Sequence, residues 1–143
     1  MSDPALQIAV GSYRPAAATF AMTVLAEYEN SKNEYIFDSN DPTLYYGYTN
    51  NLAARAGLFG EIGPFVEQPR GSDAIFAKRV VERYGCGAVR YFPGMKVRHL
   101  EIDGVFRYYN KARIHAGSIQ RIVDAAQVRP LNARERLAVF RRM

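Results

Sequence analysis

Two short segments with aromatic side chains dominate the pattern of apolar and polar positions. Residues 34–37 and 44–48 both carry β-branched or aromatic side chains, and the stretch between them is rich in turn-forming residues. The pattern predicts a hairpin in which Tyr35 lies near Tyr45. Most of the functional interpretation depends on this hairpin.

A short helix is predicted directly after the hairpin. Thr49 or Asn50 is suited to cap its first turn, and Arg55 lies one turn further along. Glycine and proline recur between residues 57 and 71, so we expect the helix to end there and a loop to follow. Arg55 is therefore expected on a helix beside the second tyrosine strand.

Helical spacing of apolar side chains predicts the remaining helices. They cover residues 16–29, 72–84 and 97–109, and a basic helical tail runs from residue 110 to residue 143. In the third of these helices, Leu100, Val105 and Tyr109 lie on one side. We expect that side to pack against the sheet.

Two more segments are predicted as strands. Residues 88–92 form a third strand, which Pro93 and Gly94 end, and residues 6–10 form an edge strand. The predicted fold is therefore α+β. It consists of a small, mostly antiparallel sheet of three strands flanked by helices, with extra helical segments at the N- and C-terminal ends.

Composition narrows the class of protein. A length of 143 residues, 48% of them hydrophobic, predicts one domain with a real core. The single cysteine, Cys86, excludes an internal disulfide, and with only two histidines it excludes a Cys/His zinc site. The use of cysteine fits a reducing, cytoplasmic compartment. No apolar run is long enough to span a membrane.

The net charge of +5 is compatible with two kinds of protein. It favours a polyanionic partner such as DNA, but it is equally typical of a soluble basic domain without one. Arginines and lysines become more frequent toward the C-terminus, where an amphipathic helix could follow a phosphate backbone.

The stretch from Leu44 to Arg55 resembles the GIY-YIG nuclease family. Tyr-Tyr-Gly-Tyr-Thr, followed by a leucine and then Arg55, is similar to the strand end and helix start of the family's second motif. Tyr35 takes the place of the tyrosine in the first motif. Nine residues separate it from Tyr45, a spacing that resembles the short-hairpin members.

A second block extends the resemblance. Glu101 takes the place of the family's glutamate, and Asn110 that of an asparagine near the end of the same helix. The resemblance covers residues 33–112 as a catalytic core. It leaves residues 1–32 as an N-terminal extension and residues 113–143 as a basic C-terminal tail.

The resemblance implies a metal-dependent endonuclease that hydrolyses DNA phosphodiester bonds. Tyr35 would activate water with the help of Tyr45, and the planar guanidinium of Arg55 would hold a phosphate oxygen. Glu101 would bind one Mg²⁺ or Mn²⁺ ion, since a carboxylate is the hard oxygen ligand these ions prefer.

Three more residues are implied in binding the substrate. They are Gly47, Thr49 and Asn110. Gly47 lacks a side chain, which lets the backbone approach the substrate closely at the end of the strand.

Departures from the family pattern leave two other functions open. Asn33 and Glu34 stand where the family has glycine and isoleucine, and no histidine follows Arg55 at the usual distance. One alternative is a nuclease-like module that binds nucleic acid without cutting it. The other is a structural or adaptor protein in which the tyrosines only pack. The oligomeric state, monomer or homodimer, also stays open.

Overall fold

The computed structural model describes residues 3–16, 19–44, 51–67, 71–100, 103–117 and 119–143. Its strands are β1 (Ile8–Pro15), β2 (Leu52–Ala54) and β3 (Val89–His99). Its helices are α1 (Phe20–Ser39), α2 (Leu58–Glu61), α3 (Ser72–Tyr84), α4 (Val105–Ala116), α5 (Ile119–Ala126) and α6 (Ala133–Phe140). The fold is α+β, a three-stranded sheet flanked by helices, as the sequence predicts.

β1 is the central strand of the sheet. It pairs antiparallel with β2 on one side and parallel with β3 on the other, so the sheet is mixed rather than mostly antiparallel. The segment predicted as an edge strand is therefore the middle strand. Its residues 8–12 are all buried, as expected for a strand covered on both faces. The sheet thus depends on a strand that lies before residue 33.

The first half of the predicted hairpin is helical instead. Residues 34–37 belong to α1, which Thr19 caps through its side chain and which ends at Asn40 in a left-handed conformation (φ 50°). Ile36 and Phe37 are buried in the core from this helix. The helical register buries both side chains, so packing overrides the β preference of this short run.

Most of the second half of the hairpin, residues 45–50, lies outside the described residues, as do both predicted caps, Thr49 and Asn50. The predicted helix containing Arg55 was wrong. The residues before it pair with β1 as β2, and the Arg55 amide donates to the Gln7 carbonyl at 3.0 Å. The next helix begins only at Leu58.

Two predictions from the middle of the chain have opposite outcomes. The helix over residues 72–84 is confirmed as α3. The prediction of a helix over residues 97–109 was wrong at its start, because β3 continues to His99 and α4 begins at Val105. Pro93 and Gly94 do not end the strand.

A bulge lets β3 continue past Pro93. The pairing with β1 passes from Gly11 opposite Phe92 to Ser12 opposite Lys96, so residues 93–95 loop out of the ladder. The hydroxyl of Ser12 donates to the Pro93 carbonyl at 2.9 Å. The Pro93 carbonyl, which leaves the ladder in the bulge, is thus still hydrogen-bonded.

Asn51 holds the bulge against β1. Its buried side-chain amide donates to the carbonyl of Ser12 at 2.7 Å and to that of Met95 at 2.6 Å. Gly11 leaves the space for this amide, since a Cβ at that position would overlap the Met95 carbonyl oxygen and the Asn51 amide nitrogen. We call this contact the Asn51 bridge.

The core lies between the sheet and helices α1 and α3. The largest fully buried side chains among the described residues are Phe76, Ile8, Leu44, Leu58, Val10, Val80 and Val139, and all but Val139 belong to this core. Among the described residues, no helix is long and apolar enough to cross a membrane.

The Asn51 bridge predicts a large effect for one added methyl group. We expect Gly11→Ala to lower the free energy of unfolding by about 1–3 kcal/mol, because the new Cβ must displace a backbone carbonyl and a buried amide. Gly94→Ala, in the same bulge, is the control. No atom of the described residues beyond its chain neighbours lies within 4 Å of its added Cβ, so we expect a change of about 0.5 kcal/mol or less. Urea unfolding measures both, and equal losses for the two variants would contradict the bridge.

Candidate functional site

α4 lies at the surface of the fold. It is the one helix in the described part of the chain without a buried residue. The hydroxyl of Tyr108 donates to Glu29 on α1 at 2.9 Å. Lys111 and His115 follow Tyr108 by three and seven positions, so they share its face of the helix. This inner face lines a cleft in front of α1.

The outer face of α4 presents aromatic rings to solvent. Phe106 is 77% exposed and Tyr109 is 63% exposed. Arg113, which is also exposed, follows them by seven and four positions and lies on the same face. Asn110, which the sequence assigned to substrate binding, is half-buried and follows Phe106 by one helical turn. Two rings, an amide and a guanidinium thus share one accessible surface.

The charge of α4 is entirely positive. Arg107, Lys111 and Arg113 lie between Val105 and Ala116, and this stretch contains no aspartate or glutamate. Asp103 precedes the helix and pairs with Arg107 at 3.3 Å, with both side chains more than half exposed. An exposed pair of this kind contributes little to stability, so the guanidinium stays available to a stronger anionic partner.

This surface was missed because the sequence predicted the opposite orientation. Leu100, Val105 and Tyr109 were expected on a packed side, yet all three are exposed. The absence of acidic residues between Val105 and Ala116 is the signal that could have identified the surface. Helical spacing alone could not show which face of α4 packs.

Tyr35 lies on α1 rather than on a strand. Its ring faces the guanidinium of Arg142 at 5.1 Å, and Arg142 also pairs with Asp38 at 2.7 Å. A cation over an aromatic ring is worth about 0.5–1 kcal/mol at an exposed site. In this structure Tyr35 therefore helps to hold the C-terminal end of the chain against α1.

Arg55 is engaged with the backbone near the N-terminus. Its Nε donates to the Leu6 carbonyl at 2.7 Å, and one terminal nitrogen donates to the Asp3 carbonyl at 2.6 Å. These bonds tie the segment before β1 to the end of β2. The contacts described for Tyr35 and Arg55 therefore involve opposite ends of the chain, and their catalytic roles stay predictions.

The other predicted site residues lie outside the described residues. They are Tyr45, Gly47, Thr49 and Glu101. Among the predicted site residues that the structure describes, Asn110 shares a surface with Phe106, Tyr109 and Arg113, three candidates that the structure adds.

The described residues bear on the predicted metal ion only through the side chains they bring together. The part of the chain that the structure describes contains no group of three or more histidine, cysteine, aspartate or glutamate side chains suited to a metal. Asp103, the described carboxylate nearest in sequence to Glu101, is paired with Arg107. Binding of Mg²⁺ or Mn²⁺ by Glu101 stays a prediction.

An arginine with two carboxylate partners closes the fold behind the cleft. Both terminal nitrogens of Arg129 donate to Glu135 at 2.9 Å, and one of them also reaches Asp41 at 2.7 Å. The Arg129 amide donates to the Thr43 carbonyl at 2.7 Å. Residues before β2 and at the start of α6 are thereby joined.

These contacts shift pKa values in predictable directions. Hydrogen bonds from Arg129 lower the pKa of Glu135, and bonds from Thr43, reinforced by Arg129, lower the pKa of Asp41. Burial raises the pKa of Tyr108, and the neighbouring Glu29 carboxylate raises it further. Tyr108 is therefore a neutral hydrogen-bond donor at physiological pH.

Comparisons of the chain with protein-family models, curated proteins and solved structures returned no match. The case for a function therefore comes from the surfaces of the fold and from the sequence motifs.

The Arg129 cluster predicts a loss of stability in acid. Because the pKa values of Asp41 and Glu135 are lowered by folding, their contribution is present above their ordinary pKa values and is lost as pH falls through the folded ones. We expect Arg129→Gln to lower the free energy of unfolding by about 1 kcal/mol near neutral pH. The difference from wild type should shrink below about pH 4.

Urea unfolding at a series of pH values checks this expectation. Arg136→Gln is the matched control, because Arg136 lies on the same helix and forms no ion pair with any described residue. Its difference from wild type should not change with pH. A constant difference for Arg129→Gln as well would contradict the assigned cause.

Proposed function

We propose that this protein binds nucleic acid through the outer face of α4, with unpaired bases stacked on Phe106 and Tyr109. The observation that carries the proposal is the combination of two largely exposed rings with a helix that has only positive charges. Of the functions that the sequence suggests, the geometry therefore favours a nucleic-acid-binding module, with DNA as its partner.

The chemistry of this face suits a single strand. Bases stack on aromatic side chains with about 1–3 kcal/mol each, and every base offers a flat face for this contact. Arg107 and Arg113 can pair with phosphates on either side of a stacked base. The amide of Asn110 offers a donor and an acceptor that can reach a base edge.

The energetics of the free protein point the same way. Covering an exposed phenylalanine ring with a partner lowers the free energy by about 25 cal/mol for each Å² removed from water. An adaptor protein that docks on α4 would bury the same rings and would be stabilised by the same amount. Only a polyanion would also release counterions, so the dependence of affinity on salt separates the two partners.

Fluorescence anisotropy with a short labelled oligothymidylate tests the proposal. We expect Phe106→Ala and Tyr109→Ala each to weaken binding about tenfold, because each removes one stacking partner. Arg113→Gln should reduce the slope of log affinity against log salt concentration by about 0.7, which corresponds to one phosphate contact on a single strand.

Two controls match these variants. Phe20→Ala removes a phenylalanine that is 86% exposed on α1, and Lys96→Gln removes an exposed charge on β3. Neither should change affinity by more than about twofold. Equal weakening by Phe20→Ala and Phe106→Ala would contradict a role for α4, as would affinity that is independent of salt.

Hydrolysis of DNA by a GIY-YIG-type site is the second candidate. It is supported by the motif from Leu44 to Arg55 and by the position of Glu101 in the sequence, between the end of β3 and the start of α4. A carboxylate there directly precedes the helix proposed to hold nucleic acid. Bound Mg²⁺ or Mn²⁺ would polarise the phosphate and lower the pKa of a metal-bound water.

Cleavage of supercoiled plasmid tests this candidate. With Mg²⁺ or Mn²⁺ we expect wild type to nick or linearise the plasmid, and EDTA or Glu101→Ala to abolish the product. Glu34→Ala removes an exposed carboxylate on α1 and should leave cleavage unchanged. If wild type binds DNA with the expected salt dependence but yields no product with either metal, the endonuclease is excluded and the binding module stands.

A further inference from the structure

The C-terminal helix α6 covers only part of one face of α1. The ring centroids of Tyr28 and Phe140 are 5.1 Å apart, and Tyr35 and Asp38 both contact Arg142. On α1 these contacts begin at Tyr28. A helix of eight residues is about 12 Å long and one of twenty residues about 30 Å, so α1 extends well beyond α6.

The face of α1 that α6 covers continues uncovered toward the N-terminal end of the helix. Phe20 and Val24 precede Tyr28 by eight and four positions, so the three side chains lie along one row. Both are exposed, Phe20 by 86%. Phe140, which contacts Tyr28, is 60% exposed, and Leu137 one turn before it is 53% exposed. These five residues form one continuous apolar surface, which we call the α1–α6 strip.

The size of the α1–α6 strip is that of an interaction site. Its exposed side chains offer an apolar area on the order of 500 Å². Contiguous apolar patches of this size on a monomer commonly mark a site where another molecule docks. With a charged rim around it, such a patch reaches the roughly 800 Å² per partner that a specific protein interface buries.

The rim of the strip has opposite charges at its two ends. Three ion pairs satisfy part of the charge on α1 and α6, namely Glu29 with Lys32, Asp38 with Arg142 and Glu135 with Arg129. The remaining charged side chains are exposed and form no ion pair with any described residue. On α1 they are Glu27 and Glu34, and beside α6 they are Arg134, Arg136 and Arg141.

The unpaired charges lie directly beside the apolar side chains. Glu27 follows Val24 by three positions and therefore shares its side of α1. Arg134 and Arg141 lie three positions before and four positions after Leu137, on the same side of α6. A partner with one uniform charge, such as an anionic surface, would be attracted by one end of the strip and repelled by the other. A complementary partner must carry both charges in the reverse order.

We propose that a second copy of this chain docks on the α1–α6 strip across a two-fold axis, with α6 of each protomer over Phe20 and Val24 of the other. A two-fold interface joins the same patch on both copies, and it reverses the direction of one patch relative to the other. Glu27 of each protomer then faces Arg134 and Arg141 of its partner. The proposal goes beyond nucleic-acid binding, because the strip contains no residue of α4.

Sedimentation equilibrium at a series of protein concentrations tests the proposal. We expect the mass to rise from the 16.1 kDa of one chain to twice that value, with a Kd on the order of 10 μM. Phe20→Ala and Leu137→Ala should each raise the Kd at least about tenfold, because every substitution occurs twice in a two-fold interface. Phe106→Ala and Leu100→Ala remove equally exposed side chains outside the strip, and both should associate like wild type.

Charge reversal tests the orientation of the two copies. Glu27→Arg should raise the Kd about tenfold, because it places arginines opposite each other. The double variant Arg134→Glu, Arg141→Glu should have a similar effect. Combining all three substitutions restores attraction between opposite ends and should return the Kd to within a few fold of wild type. Glu67→Arg, which reverses an exposed carboxylate in the loop before α3, should leave the Kd unchanged.

Three results would each overturn the proposal. One is a mass of a single chain at every concentration. Another is association that Phe20→Ala and Leu137→Ala leave unchanged, and the third is no recovery in the combined charge variant. Circular dichroism on every variant checks the fold, and the charge reversals, which remove no apolar side chain, decide the outcome if an alanine variant unfolds.

The same variants keep this test separate from the one for nucleic acid. Phe20→Ala should weaken association while it leaves the affinity for a short oligothymidylate unchanged, and Phe106→Ala should do the reverse. A protein that stays monomeric but binds the oligonucleotide therefore contradicts the dimer alone.

Discussion

The sheet depends on one buried amide. Asn51 donates to the carbonyls of Ser12 and Met95, and these bonds hold a bulge of β3 against β1. Without them, one buried and one part-buried carbonyl group would lose a donor at the point where the β1–β3 ladder changes register. Gly11 is the complement of this amide, because any side chain there would occupy its space. The end of β3, and with it the position from which α4 departs, therefore rests on a glycine and an asparagine about forty residues apart.

Sequence patterns predicted the class of the fold better than its connections. The spacing of apolar residues identified α3, and the strand that begins near residue 88 was confirmed as the start of β3. Residues 34–37 have a strong β preference, yet the register of α1 buries Ile36 and Phe37, and burial decides between the two. The proline at position 93 was expected to end β3. That rule fails here because the bulge removes residues 93–95 from the ladder. Ser12 and Asn51 then donate to the carbonyls of Pro93 and Met95.

The candidate site was harder to predict because its residues are defined by partners distant in the sequence. A local motif suggests a phosphate-binding role for Arg55, but the carbonyls it contacts belong to Asp3 and Leu6. Tyr35 was expected beside Tyr45, and its described cation partner is Arg142. Spacing along a helix shows which residues share a face but not which face packs. The exposure of Phe106 and Tyr109 therefore follows only from the tertiary structure.

The exposure of α4 gives the functional proposal its physical basis. With no residue buried, the helix draws little of its stability from the core, and a hydrogen bond between Tyr108 and Glu29 ties it to α1. A partner on the outer face removes the rings of Phe106 and Tyr109 from water, and this burial favours the bound state of the protein. Tyr108 lies on the other side of the helix, so a partner can cover the two rings without displacing its bond to Glu29.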